Sequence, residues 1–186
     1  MKDTNIFVIK FIFFIFSSVF FLLIILSPFS QPASTITNLT GRVGMVDNQE
    51  LIDSLTFPWN YIYEFGDRWC HQISSRSFSL NGNQLPICIR CVGIFAGIPL
   101  GILFSLITKT KTGPTLVKEV IILIGIGILP IVIDGGGQLI GFWESSSLSR
   151  TLTGFIGGIT MAYLLMICLG IICYEGERRK SISSSR

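Results

Sequence analysis

Four long apolar segments constrain the fold of this chain more than any other feature of its sequence. They cover about residues 6–26, 91–108, 116–133 and 152–173. A helix needs about 20 apolar residues to cross the hydrocarbon core of a bilayer, so each segment is long enough to span a membrane. Charged residues make up 13% of the chain, where soluble domains carry about 25%. We therefore predict an all-α membrane protein with about four transmembrane helices and with the lipid bilayer as its main partner.

Charge balance and motif content exclude several other classes of protein. The chain has 14 Lys and Arg against 11 Asp and Glu, a formal net charge of +3. These basic residues are scattered along the sequence, so we expect no nucleic-acid partner. The sequence contains no phosphate-binding loop, no GxSxG elbow and no HExxH helix, which lowers the weight of the enzyme classes that depend on those motifs.

The distribution of basic residues predicts the orientation in the membrane. If the first segment starts inside the cell, nine basic residues fall on the inner side: Lys2, Lys10, Lys109, Lys111, Lys118, Arg178, Arg179, Lys180 and Arg186. Five basic residues then fall on the outer side: Arg42, Arg68, Arg76, Arg90 and Arg150. Because cytoplasmic loops carry an excess of Lys and Arg, we predict a multi-pass protein of the cell membrane with both termini cytoplasmic.

This orientation divides the chain into four parts. Residues 1–30 form a transmembrane anchor, with a signal peptide as the competing interpretation because Lys2 and Lys10 form a basic end and Ala33 lies among small residues downstream. Residues 31–90 form an extracytoplasmic loop region, residues 91–174 a three-span bundle, and residues 175–186 a cytoplasmic tail. The loop carries an aromatic segment that we expect at the membrane interface: Trp59, Tyr61, Tyr63 and Trp69.

Glycine spacing predicts how two of the spans pack. Gly93, Gly97 and Gly101 recur every four residues and therefore lie on one face of the second span. The fourth span carries Gly154 and Gly158 at the same spacing. Faces without side chains allow two helices to approach closely in a membrane, so we predict close packing along these two faces.

A second glycine pattern stands at the end of the third span. Three consecutive glycines, residues 135–137, follow Asp134. Because glycine is a poor helix former, we predict that the backbone turns at this triplet, and that the following LIGFW segment is able to re-enter the membrane. Pro99 and Pro130 lie inside or at the end of spans, where kinks are expected.

Polar residues cluster in the loop and at the predicted outer ends of spans two to four. The loop contains the sequence CHQ at residues 70–72, then RSF at residues 76–78 and LPICIRC at residues 85–91. Asp134 and Gln138 end the third span, and Arg150 precedes the fourth. With the topology above, all of these residues meet at one membrane surface, where we predict a single site.

The same motifs resemble a known family. The combination of CHQ, RSF, LPxCxRCxGxxxG, DGxxQ and RxxTG is similar to domain-of-unknown-function family 2085, a family of predicted prokaryotic membrane proteins. The resemblance covers about residues 69–158, roughly half of the chain. It implies a multi-span membrane topology and brings no established reaction. Between Glu144 and Arg150 the chain has a serine-rich stretch where the family is expected to show Asn.

The cysteines suggest a metal site. Cys88 and Cys91 form a CxxC pair at the start of a predicted helix, where unpaired backbone N–H groups favour the thiolate. Arg90 adds positive charge between them. With Cys70 and His71 as further ligands, the set is typical of zinc or another transition metal. If only one of the two adjacent loop residues binds, three protein ligands leave an open position, as in catalytic zinc sites.

The remaining polar residues would surround that metal. We predict Asp134 and Arg150 as candidate catalytic residues, and Gln72, Arg76, Arg90 and Gln138 as further polar residues of the site. Asp134 is expected to pair with Arg150 or Arg90, since burying a lone carboxylate is costly. A metal at a membrane surface suits hydrolysis or group transfer on a lipid-linked or otherwise membrane-associated substrate.

Two alternatives remain open at this stage. The chain is similar in span count and CxxC position to four-span thiol oxidases that use a quinone, although it offers only one further loop cysteine, Cys70, for an electron relay. The other alternative is non-catalytic: a disulfide from Cys70 to Cys88 or Cys91, or a structural ion, pins the loop to the bundle. Cys168 and Cys173 are expected to be inert residues within a span.

Overall fold

A computed structural model describes residues 2–108 and 114–184, with side chains described for residues 5–108 and 114–173. Within these ranges four helical segments are long and apolar enough to cross a membrane: Asn5–Ser30, Ile89–Ile107, Pro114–Leu139 and Ser147–Cys173. These segments match the four apolar runs of the sequence. The prediction of a helical four-span membrane protein is confirmed.

The first two spans run antiparallel. Helix α1 covers Lys2–Leu26 and ends in a short 3-10 turn at Ser27–Ser30, and α4 covers Ile89–Ile107. Near the start of α1, the buried Lys10 ammonium donates to the Ser105 carbonyl oxygen near the end of α4, at 3.0 Å. Carbonyl groups in the last turn of a helix lack partners and carry partial negative charge, so this contact satisfies the one charged side chain inside the first apolar run.

The close packing predicted from glycine spacing is confirmed. Helix α7, Ser147–Ser184, runs parallel to α4, and the two helices touch along their glycine faces. A methyl group added at Gly97 would overlap the Phe155 carbonyl oxygen, and one added at Gly158 would overlap that of Ile94. The backbones are therefore in contact, and the starts of both helices are fixed side by side at the loop end of the bundle.

The third span contains an irregular turn. It consists of α5, Pro114–Leu123, a π-helical turn at Ile124–Ile128, and α6, Leu129–Leu139. The ring of Pro130 would collide with the carbonyl group four residues before it in a regular helix, and that residue, Ile126, lies within the wider π turn. The span runs antiparallel to α7, with Gly127 against Thr160.

The predicted turn at the glycine triplet is wrong. Helix α6 continues through residues 135–137 and ends at Leu139, and the chain reverses afterwards at Gly141, whose φ is +75°. Packing against the rest of the molecule outweighs the weak helix propensity of glycine here. The Trp143 indole lies where a side chain at Gly137 would stand. The LIGFW segment forms the end of α6 and the connection to α7.

The loop region folds into a small unit of its own. It contains α2, Gln49–Ser54, and α3, Trp59–Trp69, followed by an antiparallel hairpin of β1, Ser77–Leu80, and β2, Asn83–Cys88. The hairpin is a two-stranded sheet that the all-helical prediction did not include. A buried cluster joins this unit to the bundle: Ile24, Ile62, Cys70, Leu85, Ile87 and Val92.

The aromatic segment of the loop is a helix with two different faces. Tyr61 and Trp69 of α3 are exposed, whereas Tyr63 is 1% exposed and donates from its hydroxyl to the Gln84 carbonyl oxygen at 2.9 Å. The segment is therefore an amphipathic helix, and Tyr63 belongs to the core of the loop unit; the position of the segment at the membrane interface stays a prediction. One face of α3 packs on the hairpin, which directs its last residues toward the start of α4.

Helix α7 extends beyond the fourth apolar run. It continues to Ser184, through most of the segment predicted to be a tail. Lys109, Lys111 and Arg186, which contribute to the predicted inside charge, lie outside the described residues. The cytoplasmic location of the termini stays a prediction.

Candidate functional site

Three cysteines from two elements meet where the loop unit joins the bundle. Cys70 ends α3, Cys88 is the residue before the first turn of α4, and Cys91 lies within that turn. Their sulfur atoms all lie within 4.8 Å of one another. The backbone N–H of Cys88 also donates to the Cys70 sulfur at 3.2 Å. The strand β2 leads directly into α4, so the hairpin itself carries the CxxC pair to Cys70.

The environment of Cys88 favours its thiolate. Hydrogen bonds from the Cys70 and Cys91 thiols hold the pKa of Cys88 well below its ordinary range, and the backbone N–H groups of Cys91 and Arg90 act in the same direction. The Cys88 sulfur raises the pKa of Cys70. The thiolate is therefore favoured at Cys88, at the helix start, where the helix dipole also stabilises it.

The two residues after Cys70 point in different directions. His71 is exposed, and its ring nitrogens are outside the group of sulfur atoms described above. Gln72 is 1% exposed, and its amide donates to the Pro86 carbonyl oxygen at 2.7 Å. Gln72 thus fastens the CHQ segment to β2 and does not face the site that we predicted for it. The structure brings together three of the four predicted metal ligands.

A cavity of about 440 Å³ opens beside the three sulfur atoms. Cys70, Cys88 and Cys91 all line it, together with His71. Part of its wall is apolar, formed by Trp69, Ile73 and Leu139. Its volume falls within the range of about 300–1,000 Å³ typical of small-molecule sites.

Positively charged side chains dominate the polar part of the wall. Arg76 from the loop, Arg90 from α4 and Arg150 from α7 line the cavity, and Gln138 from α6 lies with them. No acidic residue belongs to the described lining. The predicted convergence of the loop and of the ends of three spans at one surface is therefore present for these residues.

Asp134 lies behind this wall and holds Arg90 in place. Its carboxylate accepts a hydrogen bond from the Arg90 guanidinium and pairs with its charge. It also accepts hydrogen bonds from the Ser145 and Ser149 hydroxyls, at 2.5 and 3.2 Å. Of the two partners expected for Asp134, the structure selects Arg90. The two serines come from the serine-rich stretch, whose role the sequence did not indicate.

Arg150 has a different environment. It is 9% exposed, and its guanidinium makes no hydrogen bond or ion pair with the described residues. Four buried side-chain atoms in the described part of the chain lack a hydrogen-bond partner, and three belong to the cavity wall: Arg90 Nε, Gln138 Nε2 and Arg150 Nε. Such atoms are rare in folded proteins because leaving them unpaired is costly. All three atoms are hydrogen-bond donors.

Comparisons with known proteins agree with this architecture. The family described as "Predicted membrane protein (DUF2085)" matches residues 70–164, which includes all three clustered cysteines, Asp134 and Arg150. An uncharacterised protein of Methanocaldococcus jannaschii is 37% identical over 98 residues, which cover 52% of this chain and 61% of that protein. An uncharacterised protein of Methanothermobacter thermautotrophicus is 32% identical over 105 residues, 56% of this chain and 91% of that protein. No solved structure matches the chain. Since the family match covers just over half of its residues, the chain belongs to domain-of-unknown-function family 2085, the predicted membrane proteins whose motifs its sequence carries.

Proposed function

We propose that this membrane protein binds a transition metal ion, zinc foremost, through Cys70, Cys88 and Cys91, and that the adjoining cavity takes a membrane-associated ligand. The observation that carries the proposal is the convergence of three sulfur atoms within 4.8 Å of one another on the wall of a cavity. Two of these cysteines are three residues apart and the third is distant in sequence. That arrangement is common in zinc sites.

The donor set fits zinc in both chemistry and spacing. Thiolates bind zinc at about 2.3 Å, which places two sulfurs of a tetrahedral site about 3.8 Å apart. The observed separations are within 4.8 Å, so small side-chain rotations bring all three sulfurs to one ion. Cys88 favours the thiolate form that a metal ligand requires.

Three protein ligands leave the fourth position for another group. Structural zinc sites are usually closed by four protein ligands, whereas sites that act on a substrate keep one position for water or for the substrate. Here the three cysteines face the cavity. When bound, the ion supplies a Lewis acid next to that space. The His71 side chain lines the same cavity and is the nearest candidate in sequence for a fourth contact.

The chain's own residues would position the ligand of the cavity. Asp134, with Ser145 and Ser149, orients Arg90 toward the space next to the cysteines. In this proposal Asp134 is a positioning residue, because its oxygens are engaged by these partners. Arg150 and Gln138 present donors without partners, and the apolar wall offers contact to a hydrocarbon chain.

The metal content of the purified protein tests the proposal. Full-length protein is expressed with zinc in the medium, purified in a nonionic detergent and analysed by mass spectrometry for metals. We expect about one equivalent of zinc per chain. Cys91→Ser should retain less than about a fifth of that amount, because only two thiolates remain. Cys168→Ser is the matched control, since Cys168 is an exposed cysteine outside the cluster.

A spectroscopic measurement keeps the test independent of the stability of the variants. Cobalt is added to the unmodified protein, and thiolate-to-cobalt charge-transfer absorption is recorded. We expect an intensity corresponding to three thiolates. Zinc below about a tenth of an equivalent, together with no charge-transfer band, would overturn the proposal. If, in addition, Cys70, Cys88 or Cys91 is protected from a maleimide until a reductant is added, the quinone-linked redox alternative gains support.

A further inference from the structure

We infer that the cavity binds the phosphate group of an anionic lipid, with Arg150 as its main contact. The inference rests on the proposed function, since it names the ligand class of the same cavity. It depends on a separate set of residues, however, because the arginines and not the cysteines would contact the phosphate. The two proposals can therefore fail independently.

The Arg150 guanidinium is buried without a direct partner in the described part of the chain. This residue is more than nine-tenths buried and lines the cavity, yet its guanidinium has no partner among the described residues. Burying a charged group without a partner costs several kcal/mol. A helix start such as that of α7 does not favour a cation either. An anion in the cavity would satisfy this guanidinium.

The cavity wall carries several cationic and amide donors. Arg150 shares the cavity with Arg76 and with Arg90, and only Arg90 is paired with a carboxylate. The Arg76 side chain makes no ion pair among the described residues. Among the described side chains, neither Arg76 nor Arg150 has a carboxylate in direct contact, and Gln138 adds a free amide donor. A phosphate group offers three acceptor oxygens and up to two negative charges, and the planar guanidinium matches its geometry.

One side of the cavity is apolar and exposed. Trp69 and Leu139 line it and are themselves 65% and 88% exposed. Leu139 ends a membrane-spanning segment, so this opening lies at the boundary where lipid headgroups meet hydrocarbon. Tryptophan is enriched at that boundary. An apolar wall next to a cationic one suits a molecule that has a hydrocarbon chain as well as a phosphate.

Lipid titrations of the full-length protein test the inference. Dioleoyl phosphatidic acid is added to protein in nonionic detergent, binding is followed by tryptophan emission, and native mass spectrometry counts the bound lipids. Trp69 in the cavity wall supplies the optical signal. We expect saturable binding of one lipid, and binding of dioleoyl phosphatidylcholine at least about ten-fold weaker, because its headgroup has no net charge.

Variants of matched charge locate the site. Arg150→Gln should weaken binding of phosphatidic acid by at least about ten-fold, because it removes a charge-assisted contact. Arg76→Gln, at a less buried position, should weaken it less. Arg42→Gln removes the same charge from an exposed loop position and should leave affinity unchanged. Gel filtration establishes that each variant is folded.

Several outcomes would overturn the inference. One is equal affinity of the unmodified protein for the two lipids, and another is unchanged affinity in Arg150→Gln. Binding of sn-glycerol 3-phosphate as tight as that of phosphatidic acid would overturn the lipid assignment and identify a soluble phosphate compound as the ligand. Metal content is measured on the same samples. Zinc absent, with lipid binding lost in Arg150→Gln, refutes the metal site of the proposed function alone. Zinc present, with lipid affinity unchanged in Arg150→Gln, refutes this inference alone.

Discussion

Two groups of polar side chains in this protein differ in how completely they are paired. One group lies inside the loop unit, where the buried Asp67, Gln72, Asn83 and Gln84 connect its segments. The other lies at the loop end of the bundle and includes the buried Arg150 and the partly buried Arg90 and Gln138. Among the described residues of the two groups, only the second contains donors without partners.

The loop group is a closed network. The Asp67 carboxylate accepts from the backbone N–H groups of Asp47 and Asn48 at 2.7 and 2.9 Å, and from the Asn48 amide at 2.6 Å. The Asn83 side chain accepts from the Ile36 backbone N–H and donates to three carbonyl groups in residues 28–32. A fully satisfied buried network rigidifies a fold. These residues hold a loop that has little regular structure before α2.

The group at the helix ends is open on one side. Asp134 ties Arg90 to the serines behind it, but no described acceptor bonds Arg150 Nε or the amide nitrogen of Gln138, and both residues line the cavity. Burial alone therefore does not distinguish the two groups. The informative property is burial combined with an unused hydrogen-bonding group that faces open space.

The largest effect is expected in the closed network. Asp67→Asn turns an acceptor of three N–H groups into a side chain with one acceptor and one donor, so at least one N–H group meets another donor. We expect the free energy of unfolding to fall by about 3 kcal/mol, because hydrogen bonds to a buried charged group are worth about 1.5–3 kcal/mol each. Denaturation of detergent-purified protein by a titrated denaturant measures this change.

The control for this variant is Asp53→Asn. Asp53 is an exposed residue of α2 that accepts one hydrogen bond, from Gln49 at 2.7 Å. Surface substitutions of this kind usually change stability by less than about 0.5 kcal/mol. An equally small effect for Asp67→Asn would show that the loop network does not hold the unit together. The contrast between a closed structural network and an open group of donors would then fail.

The parts of the fold that follow from local repetition were predictable. Apolar runs define the spans by length alone, and a spacing of four places glycines such as Gly97 and Gly158 on one helix face whatever the partner is. The topology then places the starts of the second and fourth spans and the end of the third at the same surface. For that reason the meeting of Cys70, Cys88, Cys91 and Arg150 was foreseeable without coordinates.

The parts that depend on pairing between distant side chains were not predictable. His71 and Gln72 are adjacent in one motif, yet one lines the cavity and the other fastens a strand from inside the loop unit. The Gln72 backbone has a positive φ of 46°, a left-handed conformation that the sequence pattern does not predict. Likewise, α6 continues through three glycines, and the Trp143 indole occupies the space beside Gly137. Intrinsic propensity is a weak guide where such contacts exist.

An intermediate effect is expected where the open group is anchored. Asp134→Asn leaves the Arg90 guanidinium beside a neutral amide, and Arg90 is only 22% exposed. We expect a loss of about 2 kcal/mol in the free energy of unfolding, below the range for a fully buried pair because part of Arg90 reaches water. Glu144→Gln, an exposed carboxylate in the same connection, is the control.

A double-mutant cycle shows whether that loss comes from the pair. The double variant, Arg90→Gln with Asp134→Asn, should lose less free energy of unfolding than the sum of the two single variants. It removes both charges and therefore leaves neither of them unpaired. A coupling energy of about 1 kcal/mol or more is expected. Strict additivity would mean that Asp134 acts through Ser145 and Ser149 alone, and that Arg90 is oriented by other contacts.

The smallest effect on stability, and one of opposite sign, is expected at Arg150. Arg150→Met keeps most of the side-chain volume and removes a buried charge that has no partner in the absence of ligand. Replacing an uncompensated buried charge by an apolar group should leave the free energy of unfolding unchanged or raise it by up to about 1 kcal/mol. Phosphatidic acid added before denaturation should stabilise the unmodified protein and not the variant, because a ligand stabilises only the state that binds it. A loss of 2 kcal/mol or more in the ligand-free variant would place Arg150 with the closed network, as a structural residue.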